Sequence, residues 1–205
     1  MTLFADVRPL LPWDHGDLKL LPLPGCGFAR AVSEVPVHAF ELCHLVAVLP
    51  IAIRNDGGAG RLVGITGLCP GENLFIGPKE QWTAIAVPDA LATYPFTMRA
   101  TRDGGGAFCA DLASGLLDRR EGAALFAEDG TPTETLTAYR DKLRAQLRDR
   151  KTATTAIKAL ADANVLAPWS VDDVETIDAS VHITSSCRPC RRSPRPPGQA
   201  RPGGR

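Results

Sequence analysis

At 205 residues, 44% apolar and 22% charged, the chain has the length and composition of one folded domain, which excludes a disordered or fibrous polymer. The formal net charge is zero, but six of the 23 basic residues fall between Ser185 and Arg205 with no acid among them. Residues 1–184 therefore hold 17 bases against 23 acids, a net of −6. A mildly acidic body without a basic stripe argues against nucleic acid as a partner, because phosphate neutralisation needs clustered cations. The best apolar run, Leu45 to Ile53, is nine residues long and contains Pro50. A membrane span needs about 20 residues, so the run reads as core. Met1 to Pro9 has neither a basic start nor an apolar stretch behind it. The expectation is a cytoplasmic chain without a spanning segment. Six scattered cysteines then read as reduced thiols, not a disulfide framework.

In chain order, the first 37 residues are punctuated by Pro9, Pro12, Pro22, Pro24 and Pro36. The prolines predict short strands and turns there without helix. Leu18–Leu21 and Phe28–Val32 are the predicted strands. A short helix is expected over Val37–Val46, ended by Pro50. Ile51–Arg54 and Arg61–Leu68 then form a hairpin across the Asn55-Asp-Gly-Gly turn, whose residues tolerate positive φ. Asn73–Ile76 and Trp82–Ile85 are expected as a second pair of strands around Gly77-Pro. Pro88 suits the first turn of a short helix through Thr93. Phe96–Ala100 and Ala107–Asp111 bracket Asp103-Gly-Gly-Gly as another hairpin.

After Gly130 the pattern changes. Pro132 to Asn164 contains no glycine and no further proline, and Leu136, Tyr139, Leu143, Leu147, Ile157 and Leu160 mark one helical face. Thr131 or Thr133 caps its start, and Glu134 complements the helix dipole. The apolar face lapses between Arg150 and Thr155, which leaves open one bent helix or two. Pro168 closes the run, and Val174–Thr184 begins another strand. The expected fold class is α+β: an antiparallel, hairpin-rich sheet with short helices, followed by a C-terminal helical segment. The expected organisation is a sheet-rich part over 1–130, a helical part over 131–168, an incomplete strand over 174–184, and a disordered Arg/Pro-rich tail over 185–205. Arginine, proline, glycine and cysteine are what GC-rich codons yield out of phase, so the tail reads as a change of frame.

Several phrases taken together resemble the bacterial SapC family. They are Pro9-Leu-Leu-Pro with His15, Val35-Pro-Val with Glu41, and Glu72-Asn-Leu-Phe-Ile, then Trp82, Tyr94-Pro-Phe, Cys109-Ala-Asp and Leu125-Phe-Ala-Glu-Asp-Gly. They keep their order across roughly the first 185 residues. Ala92-Thr93 stands where the family usually has a basic pair, and members usually run to greater length. The name comes from an association with a bacterial surface layer. The resemblance implies no catalytic residues, and it implies a partner encoded nearby.

Two functions follow as expectations. The first is a non-enzymatic accessory or interaction protein. The second is an enzyme, hydrolase- or peptidase-like, with Glu72 as general base, Asn73 as orienting donor and His44 as a further candidate. Trp82, Phe75, Tyr94 and Phe96 would line its pocket. Against it, Asn73 suits a turn and strand aromatics usually fill a core. No metal or other cofactor is expected. His38 and His44 flank Glu41 and Cys43, but six residues place them about 240° apart on a helix, whereas zinc-binding histidines sit about three to five apart. Asp111 and Glu128-Asp129-Gly130 read as structural. Cys187-Arg-Pro-Cys190 has the spacing of a metal or redox pair without a second pair beside it.

Overall fold

A computed structural model describes residues 3–55, 60–102, 104–169 and 181–183. The fold is α+β, and the described residues form three antiparallel sheets, brief helices and one long helix over 134–162. The first sheet orders β1 (Val7–Pro9), β7 (Gly106–Asp111) and β6 (Phe96–Ala100), with β7 in the middle. The β6–β7 hairpin pairs Phe96 with Ala110 and Ala100 with Gly106. The second sheet runs β10 (Ala167–Trp169), β11 (Val181–Ile183), β4 (Ile51–Arg54), β5 (Arg61–Ile65) and β3 (Glu34–Pro36). The third is built from the two-residue strands β8 (Leu117–Asp118), β2 (Lys19–Leu20) and β9 (Ala123–Ala124).

The short helices are α1 (Pro12–His15), α2 (Leu42–Leu45) and α3 (Asp89–Ala92), and α2 follows a 3-10 turn over Ala39–Glu41. The long helix α4 (Glu134–Asp162) is continuous for 29 residues. Thr133 caps it by accepting the Leu136 N–H at 3.4 Å. At its other end Asn164 takes a left-handed conformation (φ 52), which asparagine tolerates at a helix terminus. The buried stripe Leu136, Leu143, Gln146 and Ile157 faces inward. The helix reaches β6 and β7 of one sheet, β5 of another, and the Ala39–Glu41 turn. It thereby fastens the two larger sheets together. Phe96, Met98, Leu125, Leu136 and Leu143 form one core under it. Val35, Ala29, Leu91 and Tyr94 form a second, and Val37, Leu45 and Leu49 a third.

Four expectations are corrected. Phe28–Val32 is not a strand: Gly27–Ala29 forms a 3-10 turn, tied down by the Cys26 N–H on the Glu80 carbonyl at 2.7 Å. The proline-rich start does hold helix, because Pro12 occupies the first turn of α1, where its missing N–H costs nothing. The pair expected around Gly77 shrinks to a single bridge between Ile76 and Trp82. Only the bonds from the Gly77 N–H to the Gln81 carbonyl and from the Thr83 N–H to the Phe75 carbonyl, both 2.9 Å, flank it, and the Asn73 side chain takes the Phe75 N–H. Helix does not extend to Pro168, since α4 ends at Asp162 and Ala167–Trp169 is β10. Within the expected strand over 174–184, Val181–Ile183 is β11, paired on both sides by β10 and β4. The rest of the expected strand before Val181, the turn over residues 56–59 and the Arg/Pro-rich tail lie outside the described residues. No helix among the described residues is long and apolar enough to cross a membrane.

Candidate functional site

The three candidates for catalysis are spread out in role and exposure. Asn73 is buried and both ends of its amide are engaged. Nδ2 donates to the Ala29 carbonyl and Oδ1 accepts the Phe75 N–H, each at 3.0 Å. It staples the Leu68–Val87 segment to the body and bonds its own backbone two residues on, as an Asx turn does. Glu72 is half-buried, with its N–H on the Cys69 carbonyl at 3.3 Å. His44 is exposed in the last turn of α2.

The four aromatics make separate ring contacts, although Trp82 packs against the same core as Tyr94. Phe75 stacks on Trp82 at 5.2 Å, Tyr94 on Phe28 at 4.1 Å, and Phe96 meets Phe108 and Tyr139. Tyr94 instead serves Asp111, donating its hydroxyl to Oδ2 at 3.3 Å. The same buried carboxylate accepts the N–H groups of Ala5, Asp6 and Ala113. Burial, and then the neighbouring Asp111 charge, push the Tyr94 hydroxyl up to about 12. Asp129 holds its own turn by accepting from Thr131. Burial raises the Cys26 and Cys109 thiols, which makes poor nucleophiles of them. Among the described residues no three His, Cys, Asp or Glu side chains are grouped as a metal ion requires. Cys187 and Cys190 lie outside the described residues.

The polar groups that do converge are others. Where the apolar stripe of α4 lapses, a cavity of about 210 Å³ opens between that helix, the start of β5 and the segment after β3. His38, Arg61, Asp149, Arg150 and Thr154 line it. His38 is 5% exposed, and its Nδ1 lies 4.0 Å from Asp149 Oδ2. That carboxylate oxygen also receives the Ala39 N–H at 2.6 Å, so α4 and the 3-10 turn meet on it. Burial, followed by the Arg150 charge, holds the His38 imidazole down to about 4, against the opposing pull of Asp149. The ring is therefore neutral near pH 7, and it stacks on Phe40 at 5.5 Å. Arg150 is itself lowered, first by burial and then by the charge of Arg61. Two guanidinium groups thus share one small space.

Below this cavity, Glu41 bonds two elements at once. Oε1 accepts the His38 N–H and Oε2 the Asp89 N–H, both at 2.8 Å. Desolvation pushes its carboxyl above the ordinary range despite these bonds. A second cavity of about 370 Å³, between Leu20–Leu23 and the rings of Tyr94 and Tyr139, is largely apolar.

A different surface feature lies on the Leu68–Val87 segment. Leu68, Leu74, Ile85 and Val87 are all exposed, Ile85 to 94%. The segment is braced from within by Asn73, by the Phe75–Trp82 stack, and by the Trp82 Nε1–H donating to the Ala86 carbonyl at 2.7 Å.

Sequence reasoning weighs His38 as a metal ligand beside His44 and favours a structural or surface role, and it assigns no role to Asp149, Arg61 or Thr154. Their signal is the break in the apolar stripe after Leu147, where half-buried and exposed polar residues replace the apolar face. Comparison with known proteins finds a match to the family model described as SapC over residues 10–184. No curated protein and no solved structure matches the chain.

Proposed function

Because the chain belongs to the SapC family, we propose that it is a non-enzymatic accessory protein that works by holding a protein partner encoded nearby. The observation behind this reading is the display of Leu68, Leu74, Ile85 and Val87 on one braced segment. Large apolar side chains exposed along one ordered segment favour a binding surface, since interface cores are apolar anchors in an ordered frame. The groups best suited to acid–base work are meanwhile spent on structure: Glu41, Asn73 and Asp111 each bond backbone in two or more places. The reading places the chain in the cytoplasm.

The test is a photo-crosslinking amino acid at position 85 of the full chain, expressed in its own cells, with the captured partner then purified. The expected result is one dominant adduct and a binary complex weakened at least tenfold by Ile85→Asp or Leu74→Asp. No adduct above background, or a complex indifferent to both substitutions, would overturn the reading.

A further inference from the structure

We infer that the cavity between Leu20–Leu23 and the rings of Tyr94 and Tyr139 binds a small uncharged molecule, mostly apolar and carrying one hydroxyl group. Its volume of about 370 Å³ has room for about twelve water-sized groups at ~30 Å³ each. That lies in the ordinary range of small-molecule sites and excludes a nucleotide or a folded partner.

The cavity sits at the joint of two cores and is closed by neither. Tyr94 belongs to the core of Val35 and Leu91, whereas Leu20 and Tyr139 pack against the core of Phe96 and Leu136. Tyr94 is buried at its floor, and Leu23, Gly122 and Ala123 are exposed at its rim. The sequence holds this space open. In Leu21-Pro-Leu-Pro each leucine precedes a proline, which keeps the leucine out of helical backbone and leaves a stiff extended wall. Beside it, Gly122 passes so close to β2 that a Cβ there would collide with the Leu20 carbonyl oxygen, and Ala123 follows with a single methyl. Small residues thus stand where larger ones would fill the cavity.

The lining selects the ligand. Among the described residues no charged side chain lines the cavity, so an ionised molecule would lose its hydration without a counter-charge. Water is poorly held too, since a bound water needs about two to four polar partners. Of the two phenols, Tyr94 has already given its hydroxyl to Asp111. Tyr139 meets Phe96 through its ring, and none of the described residues bonds its hydroxyl, which is left for one polar group of a ligand. Displacing poorly held water from apolar walls favours an apolar occupant, and the Tyr139 hydroxyl sets its orientation.

Saturation-transfer NMR on the full chain tests this, with 2-naphthol and menthol as probes and naphthalene-2-sulfonate as the charged counterpart. The expected result is saturable binding of both alcohols and none of the sulfonate. Ala123→Phe fills the space from its exposed rim and should lower affinity tenfold or more. Leu23→Ala should lower it at least threefold, and so should Tyr139→Phe, which keeps the ring. Ile85→Asp should leave it unchanged, because this site stands apart from the partner-binding surface and either reading can fail without the other.

Failure of both alcohols to bind overturns the proposal, as does equal binding of the sulfonate or binding that a folded Ala123→Phe leaves intact. If Ala123→Phe does not fold, unchanged affinity in Leu23→Ala has the same force. Loss of binding in Ile85→Asp moves the probes to the other surface and overturns the site. Indifference to Tyr139→Phe overturns the choice of a hydroxyl-bearing ligand.

Discussion

The Glu41 carboxylate receives the backbone N–H of Asp89 at 2.8 Å, a bond that spans 48 residues and joins the first turns of two short helical elements. Its other oxygen holds the His38 N–H. Helices of one turn cannot sustain themselves, so both depend on this side chain. Glu41→Ala should cost about 2 kcal/mol, the sum of two lost acceptors less the relief of burying a charge. Glu41→Gln should cost less, because one oxygen remains. Urea unfolding of the two variants beside the parent measures both.

His38 makes stability depend on pH. Its folded value lies near 4 against an ordinary 6.5, so the unfolded chain takes up the proton first as pH falls. The contribution is complete above about pH 6.5 and lost as pH drops toward 4, and amounts to about 3 kcal/mol. Glu41 works the other way. Its raised folded value means that stability from its protonated form is present at low pH and lost as pH rises through that value. Unfolding midpoints from pH 4 to 7 should show a slope that His38→Phe flattens. Adding Glu41→Gln should remove the opposing part.

The candidates at 72 and 73 should separate cleanly. Asn73→Ala leaves the Ala29 carbonyl and the Phe75 N–H without their partner, and should cost about 2–3 kcal/mol. Glu72→Gln and His44→Ala should change stability by less than about 0.5 kcal/mol. If either of the latter abolishes a cellular phenotype while the fold is intact, the enzymatic alternative gains the ground that the binding reading loses.

Asp111 and Tyr94 give a spectroscopic test. The chain has two tyrosines, and the hydroxyl of Tyr94 is pushed up to about 12 by burial and by Asp111. Ultraviolet titration should show a phenol component that ionises only near pH 12, and Tyr94→Phe should remove that component. Stability associated with this proton is present below the ordinary value of 10 and lost as pH rises toward 12. Asp111→Ala should release the segment before β1 and cost about 3 kcal/mol, visible as faster amide exchange at Ala5 and Asp6.

What was legible in advance was local. The β4–β5 and β6–β7 hairpins announce themselves because apolar runs flank Asn, Asp and Gly, and α4 because its apolar period runs from Leu136 to Leu147 and resumes at Ile157, with no glycine or proline inside it. What stayed hidden depends on distant partners. β1 is a strand only because β7 lies about a hundred residues away to pair with it. β3 contains Pro36 and is tolerated only as the edge of its sheet. Of the two-residue strands in the small sheet, β2 falls within the expected Leu18–Leu21, whereas β8 and β9 carry no periodicity to detect. The site followed the same rule. The polar lapse at Arg150–Thr155 was readable, but it took the fold to bring His38 within 4.0 Å of Asp149, across 111 positions.

The place of β11 has a consequence for synthesis. Val181–Ile183 inserts between β10 and β4, so one side of β4 finds its partner only after some 127 further residues have been made. At about 5–20 residues per second, that flank of Ile51–Arg54 waits on the order of ten seconds with its N–H and C=O groups unclaimed. The hairpin with β5 closes early, since its contacts are near in sequence. The growing chain therefore carries an open ladder on the ribosome for most of its manufacture. Slower elongation lengthens the interval in which another nascent copy can occupy the place reserved for β11.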